Sequence, residues 1–353
     1  MIKYKILLDA SNLSLGGGVQ VGLALIHNFI NDDNFEIICV ASPQIDRQLN
    51  ITQKQKIKHY FVEKNVSIIA KYNQGKRIAE IEKKYNPNLT FIIFGPSYWK
   101  PKSLSIQGFA LGKMIYADEL QIGMLESGLN FVKKMFFLWN DSFLIVETEL
   151  VKDKLIKFLN YSTDKIFVIG NSYSPAFESY INNNAINSNI TNCFRILVPG
   201  SFYPHKNLER IIKALALIDK KQLELKMIFT IPDDSEGWRY LSTLAAKMNV
   251  IELIETVGFI ENSKFARLYQ ECDAVICASL VESSTAVFPE AFLAKRPLLV
   301  SDRPFATELC EDAAVYFDPL IENSIADAIF KLATNDVLRN ELVKKGVKVL
   351  EKN

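Results

Sequence analysis

The chain has 353 residues, a length that suits two domains of ordinary size. Hydrophobic residues make up 49% and charged residues 23%, a globular balance with enough apolar material for two cores. The formal net charge of +1 supplies no global field that would draw the protein onto nucleic acid.

Five cysteines, Cys39, Cys193, Cys272, Cys277 and Cys310, are scattered and form no CxxC pair, which suits a reducing compartment. Met1 leads straight into a strand-like run with no signal pattern. No run approaches the ~20 apolar residues that a membrane span needs. The expected location is therefore cytoplasmic. Two basic patches stand out: Lys54, Lys56 and Lys58 with His59, and Lys133 and Lys134 among Phe131, Met135, Phe136, Phe137, Leu138 and Trp139. Each reads either as a solvated face or as peripheral contact with an anionic membrane at its inner face.

Along the chain, short apolar runs alternate with amphipathic stretches, which predicts parallel α/β layers. Strands are expected at Tyr4–Leu8, Phe35–Ala41, Leu89–Phe94, Ser142–Val146 and Ile166–Ile169, with helices at Val19–Ile30, Gly75–Tyr85 and Glu149–Asn160. From Asn182 to Asn192 the chain turns Asn-rich and aperiodic, which reads as a linker. The alternation then restarts, with strands at Arg195–Val198, Leu225–Ile231, Ile251–Ile254, Ala274–Cys277 and Leu298–Val300. The division expected is residues 1–180, a linker at 181–193, and residues 194–353. Ligands of such sheets bind beyond the carboxyl ends of the strands, so a cleft between two facing domains is the expected site.

Three segments carry candidate chemistry. Leu15-Gly16-Gly17-Gly18-Val19 follows the first strand and opens a helix, where glycines admit a ligand and the helix start attracts an anion. It is not GxGxxG, which disfavours a dinucleotide dehydrogenase. Pro199-Gly200-Ser201-Phe202-Tyr203-Pro204-His205-Lys206-Asn207 places a compact cation beside a second helix start, suited to a diphosphate. The plain reading is a solvent-facing Lys206 with Asn207 as helix cap. The strongest segment runs from Ala278 to Glu290, where Glu282 and Glu290, with seven residues between them, stand in a small polar loop and a helix start. Such carboxylates accept sugar hydroxyls, and the loop between them offers donors to phosphate oxygens. Tyr98 and Trp99, after a strand end, read either as surfaces for stacking on sugar rings or as packing residues.

The second half resembles the family 4 retaining glycosyltransferases of the GT-B fold. The resemblance rests on Gly200 to Glu209, on Val257-Gly258-Phe259-Ile260, and on the two glutamates Glu282 and Glu290. It extends through Arg296 to Pro304, Glu308, Asp312 to Ala314 and Tyr316 to Pro319. The resemblance implies two Rossmann-like doubly wound domains facing each other across a cleft. It implies that Lys206 neutralises the donor diphosphate and that Glu282 lies near the donor sugar. It further implies that Glu290 holds the ribose hydroxyls, with Ser284, Thr285 and Ala286 meeting sugar and phosphate. Gly17 and Gly18 would close over the phosphates, and Phe259 would lie beside the base. Tyr98 and Trp99 fall in the domain that handles the acceptor.

There are departures. Ser201 stands where the family often has Arg, with His205 as a possible extra donor. The first half offers only His27 and His59 where many members carry a catalytic-region His, and the chain stops near Lys352 where many relatives continue. The reaction expected is transfer of a sugar, with retention, from a UDP-, GDP- or dTDP-sugar to a saccharide or lipid-linked saccharide, as in bacterial surface polysaccharide assembly. Neither a metal nor another cofactor is expected, and Asp32-Asp33 and Asp233-Asp234 read as solvated turns. The rivals are a nucleotide-sugar epimerase or phosphorylase of the same architecture, an NAD-dependent oxidoreductase, and a non-catalytic binding subunit.

Overall fold

The computed structural model describes residues 3–14, 16–64, 68–120, 123–184, 193–219, 223–260, 262–283 and 285–352. The chain forms two compact units, Met1–Gly170 and Asn171–Asn353. Most of the Asn-rich stretch expected as a linker lies outside the described residues.

In the first unit the strands are β1 Tyr4–Ala10, β2 Phe35–Ala41, β3 His59–Val62, β4 Leu89–Ile92, β5 Leu104–Gly108, β6 Phe143–Val146 and β7 Ile166–Val168. They form one parallel sheet in the order β3-β2-β1-β4-β5-β6-β7. The second unit holds β8 Phe194–Val198, β9 Leu225–Phe229, β10 Ile254–Thr256, β11 Ala274–Cys277, β12 Leu298–Ser301 and β13 Ala314–Phe317. Its parallel order is β10-β9-β8-β11-β12-β13. Strand order therefore reverses between β1 and β4 in one unit and between β8 and β11 in the other. Those reversals are where connections leave the two strands toward opposite faces and open a crevice at their carboxyl ends.

The central strands are continuous apolar runs because helices cover both faces of each sheet. Ile6, Leu7 and Leu8 of β1, and Val275 and Ile276 of β11, are all but inaccessible. Three strands, β3, β5 and β13, escape the sequence reading, each for a physical reason. β3 and β13 are short edge strands, and the first of them sits among lysines. β5 (Leu104-Ser105-Ile106-Gln107-Gly108) carries polar side chains into the interior. There Ser105 pairs with Ser142 at 2.6 Å, and Gln107 donates to the Ser142 hydroxyl at 2.9 Å while accepting the Ser97 N–H at 2.9 Å. A satisfied network of this kind replaces the apolar run that marks its neighbours.

Candidate functional site

The second unit gathers its candidate residues at the β8/β11 reversal. Past the end of β8, Gly200 takes φ +119°, a conformation that side chains beyond glycine rarely adopt. Its N–H donates to Thr230 Oγ1 at 2.9 Å, which fixes the turn. The chain then makes a short 3-10 turn, Pro204–Lys206, before the helix Leu208–Leu215. Asn207 joins the two with φ +57°. Its side chain makes no helix cap; its amide donates to the Pro319 carbonyl at 2.7 Å. His205 stacks on Tyr203 with ring centroids 5.6 Å apart, and its carbonyl accepts the Leu280 N–H at 2.8 Å. That bond ties the basic turn to the loop after β11.

Lys206 is not a solvent-facing cation. Its Nζ lies 2.5 Å from Glu282 Oε1, and the same oxygen accepts the Ser279 hydroxyl at 2.7 Å. The two side chains are only 18% and 10% exposed. Burial works to lower the Lys206 pKa, but the Glu282 carboxylate, through charge and hydrogen bond, together with Cys277 and Tyr203 outweighs it, and the ammonium titrates above its ordinary value. The structure thus brings together two sequence-predicted residues and adds Ser279, a fully buried side chain. Sequence reasoning missed Ser279 because a serine at a strand end is unremarkable until its partner is known.

Glu290 has a different partner. It sits in the helix Val287–Leu293, 7% exposed, and its Oε2 accepts the Tyr269 hydroxyl at 2.9 Å. Burial raises its carboxyl to about 7, against the opposing pull of the Tyr269 hydrogen bond. Tyr269 is itself wedged edge-on against Phe177 and Phe265. Thr285 is buried, and its Oγ1 accepts the Val287 N–H at 3.2 Å at the start of the same helix, next to half-buried Ala286. Ser284 lies outside the described residues. Ser201 is exposed, as is Phe259, at 78%, beside Gly258 with φ +72°.

In the first unit Gly17 and Gly18 form the first turn of the helix Gly16–Ile30 rather than a loop before it. A Cβ on Gly17 would meet nothing within 4 Å, whereas one on Gly18 would touch the Phe94 ring. Tyr98 and Trp99 are not stacking surfaces. They are 9% and 4% exposed, and Trp99 packs with Leu7, Ile38, Val40 and Ile78. His27 is exposed on a helix face beside Asn31, and His59 stacks on Tyr85. The polar group at the β1/β4 reversal is instead Asp9, Asn12 and Lys71, which the sequence reading did not assemble. Lys71 Nζ donates to Asn12 Oδ1, Asn12 donates to the Pro96 carbonyl at 3.4 Å, and Asp9 accepts the Ser11 N–H at 3.0 Å. Burial raises the Asp9 carboxyl and depresses the Lys71 ammonium. The signal was present: a carboxylate within the otherwise apolar run Ile6-Leu7-Leu8-Asp9-Ala10.

No three His, Cys, Asp or Glu side chains cluster as a metal ion would require among the described residues. Nor is any described helix long and apolar enough to cross a membrane.

Two parallel α/β units of this kind define the GT-B fold, the architecture of many glycosyltransferases. Residues 181–349 match the family described as Glycosyl transferases group 1. The chain is similar to the O-antigen chain mannosyltransferase RfbU of Salmonella typhimurium, 28% identical over 182 residues. That alignment covers 51% of this chain and 47% of the relative, so the chain matches about half the length of that protein. Among solved structures, it resembles a glycosyltransferase from Rickettsia africae with a TM-score of 0.74 at 17% identity, covering 99% of this chain and 94% of the other. It also resembles Anabaena HepE, solved with UDP and glucose, with a TM-score of 0.75 at 14% identity over 99% and 95% of the two chains. At such identities the structural likeness shows the fold alone.

Proposed function

We propose that the protein moves a sugar from a nucleoside-diphosphate sugar to a saccharide or lipid-linked saccharide acceptor, with retention of configuration, in surface polysaccharide assembly. The observation that carries this reading is the Lys206–Glu282 pair, joined at 2.5 Å at the carboxyl ends of β8 and β11. A lysine kept charged at that place answers the negative charge that grows on a departing diphosphate. Glu282, braced by Ser279, aims the ammonium and is the group nearest in kind to the donor sugar's hydroxyls. Glu290 accepts the ribose hydroxyls, Thr285 and Ala286 offer the backbone of a helix start, and exposed Phe259 stacks beside the base. A cation already in the protein takes the part that a metal would play, so transfer proceeds with neither metal nor other cofactor. The printed names of the relatives support the class of reaction: an O-antigen mannosyltransferase, and HepE bound to UDP and glucose.

Titration calorimetry with UDP-, GDP- and dTDP-sugars tests the reading. One of them binds the native protein, and Lys206→Ala and Glu290→Ala each abolish that binding. Unchanged affinity in both variants defeats the site. Transfer that persists in excess chelator supports metal independence, and the anomeric proton of the product reports retention. A non-catalytic binding subunit is the second reading. It is favoured by Ser201 in place of a cation and by His27 and His59 being engaged with Asn31 and Tyr85. Tight nucleotide-sugar binding with no transfer to any acceptor would select it.

A further inference from the structure

Lys71 and Lys133 come from different helices of the first unit to the same loop, the one that follows β4. Lys71, in the first turn of the helix Ile68–Tyr85, donates to Asn12 Oδ1, and Asn12 donates to the Pro96 carbonyl at 3.4 Å. The same ammonium lies 5.2 Å from the centroid of the Tyr98 ring. The helix Met124–Asn140 is tied to that loop as well: Asn140 donates to the Ser97 carbonyl at 2.8 Å, and Phe136 meets the Tyr98 ring edge-on at 4.9 Å. Lys133 stands at i+3 and i+4 spacing from Asn130, Phe137 and Asn140, so it shares the face that this helix buries. Neither lysine forms an ion pair among the described residues, and the acids in reach are engaged elsewhere. Asp9 accepts the Ser11 N–H at 3.0 Å, and Glu126 is held by Lys113 at 2.9 Å. Burial depresses both ammonium groups against the pull of those acids, Lys133 depresses Lys71 further, and Lys113 does the same to Lys133. Beside them the Tyr98 hydroxyl, on a side chain only 9% exposed, makes no hydrogen bond among the described residues.

We propose that Lys71, Lys133 and Tyr98 bind a phosphoryl group of the acceptor, so that the acceptor is a phosphate or diphosphate ester rather than a neutral saccharide. Two half-buried cations that repel each other and hold no counter-ion cost the folded protein free energy, and an anionic ligand removes that cost. Lysine serves phosphate as a compact point charge, and a tyrosine hydroxyl donates to a further oxygen. Three donors on three separate segments suit the three oxygens of a phosphoryl group better than the two coplanar oxygens of a carboxylate. The group stands past the carboxyl ends of β1 and β4, where ligands of such sheets bind. A phosphate on the sugar and the diphosphate that joins a saccharide to a lipid share this chemistry. That the anion belongs to an acceptor rests on the transfer reading above; the anion site itself rests on this unit alone.

The test is titration calorimetry of the full chain with glucose 6-phosphate, with geranyl diphosphate and with glucose. The phosphorylated probes bind and glucose binds far more weakly; Lys71→Gln/Lys133→Gln weakens the phosphorylated probes by about tenfold or more, and Tyr98→Phe by less. Lys76→Gln, at an exposed lysine on the same helix as Lys71, leaves their binding unchanged. Lys206→Met leaves it unchanged too, so a failure of the donor site and a failure of this one give different results. Tighter binding of glucose 6-phosphate supports a phosphorylated sugar, and tighter binding of geranyl diphosphate supports a lipid diphosphate. Lys133→Gln relieves repulsion between the lysines, so its melting temperature is at or above the parent's; this single variant carries the comparison should the double variant melt early. Phosphorylated probes that do not bind, that bind no better than glucose, that bind the lysine variants as tightly as the parent, or that lose their binding in Lys206→Met instead would each overturn the proposal.

Discussion

Lys206 and Glu282 come from turns 76 residues apart and meet at 2.5 Å, with the Ser279 hydroxyl on the same carboxylate oxygen. Each group is therefore the other's compensation for leaving water. Removing one partner strands the other, a loss of ~3–5 kcal/mol for a fully buried pair. With 18% and 10% of the two side chains still in solvent, about 2–3 kcal/mol is expected here. Lys206→Met and Glu282→Gln should each lose that much in urea unfolding, and the double variant should lose less than their sum. Strictly additive losses would show that the two groups do not support each other.

Glu290 couples stability to pH. Its carboxyl is lifted by burial to about 7 from an ordinary value near 4.5. Between those values the folded protein holds a proton that the unfolded chain has released, so stability falls as pH rises across that window and levels off above it. Glu290→Gln removes the penalty of ionising a buried acid and should gain roughly 3 kcal/mol at pH 8, with little gain at pH 4.5. Donor affinity should move the other way in the parent, weakening below pH 7 as the carboxylate that accepts hydroxyls is lost. Melting curves at several pH values for the two proteins decide it. Curves that stay parallel from pH 4.5 to 8 would mean that the proton is not held there.

The alternation of apolar runs and amphipathic stretches made the α/β layers legible, because β11, buried along its whole length, is an unbroken apolar run and β1 carries Ile6-Leu7-Leu8 at its centre. Lys206 and Glu282 were legible as types in place. That they would bind each other was not, since contact between residues 76 apart depends on which strands are neighbours. Tyr98 and Trp99 suited exposure and burial equally by sequence, and packing against the β1–β2 region decided for burial. The Asp9, Asn12 and Lys71 group needed the β1/β4 reversal to bring residues 9 and 71 together. The stretch with Lys133 and Lys134 was open between a solvated face and a lipid contact. Its helical phase, visible only once the helix bounds are known, puts the apolar residues outward.

Gly200 tests how firmly the basic turn is held. An added Cβ would sit 3.7 Å from Lys206 Cε, an ordinary contact, so space is not the obstacle. The obstacle is φ +119°, which strains any side chain by ~1–3 kcal/mol. Gly200→Ala should therefore lower the melting temperature by several degrees and shift Lys206 from Glu282. Gly258→Ala is the comparison: it meets nothing within 4 Å, and its φ of +72° lies near the left-handed region, at a cost of about 1–2 kcal/mol. Equal melting temperatures for Gly200→Ala and the parent would show a turn that relaxes freely.

Gly17 separates folding from ligand approach. It is the second residue of the helix Gly16–Ile30, and a Cβ there would meet nothing within 4 Å. Alanine is the better helix former by about 1 kcal/mol in a helix interior and less in the first turn, so Gly17→Ala should keep or slightly raise stability. If donor phosphates approach the N–H groups of that turn, the same methyl stands in their way, and nucleotide-sugar affinity should fall about tenfold, ~1.4 kcal/mol. Gly22→Ala, further along the helix, behaves in the opposite sense. Its Cβ would collide with Leu13, so the melting temperature drops before any effect on binding is read. Calorimetry on the two variants beside the parent gives the answer. A Gly17→Ala protein that binds donor as tightly as the parent would mean that the glycine turn serves the helix start and not the ligand.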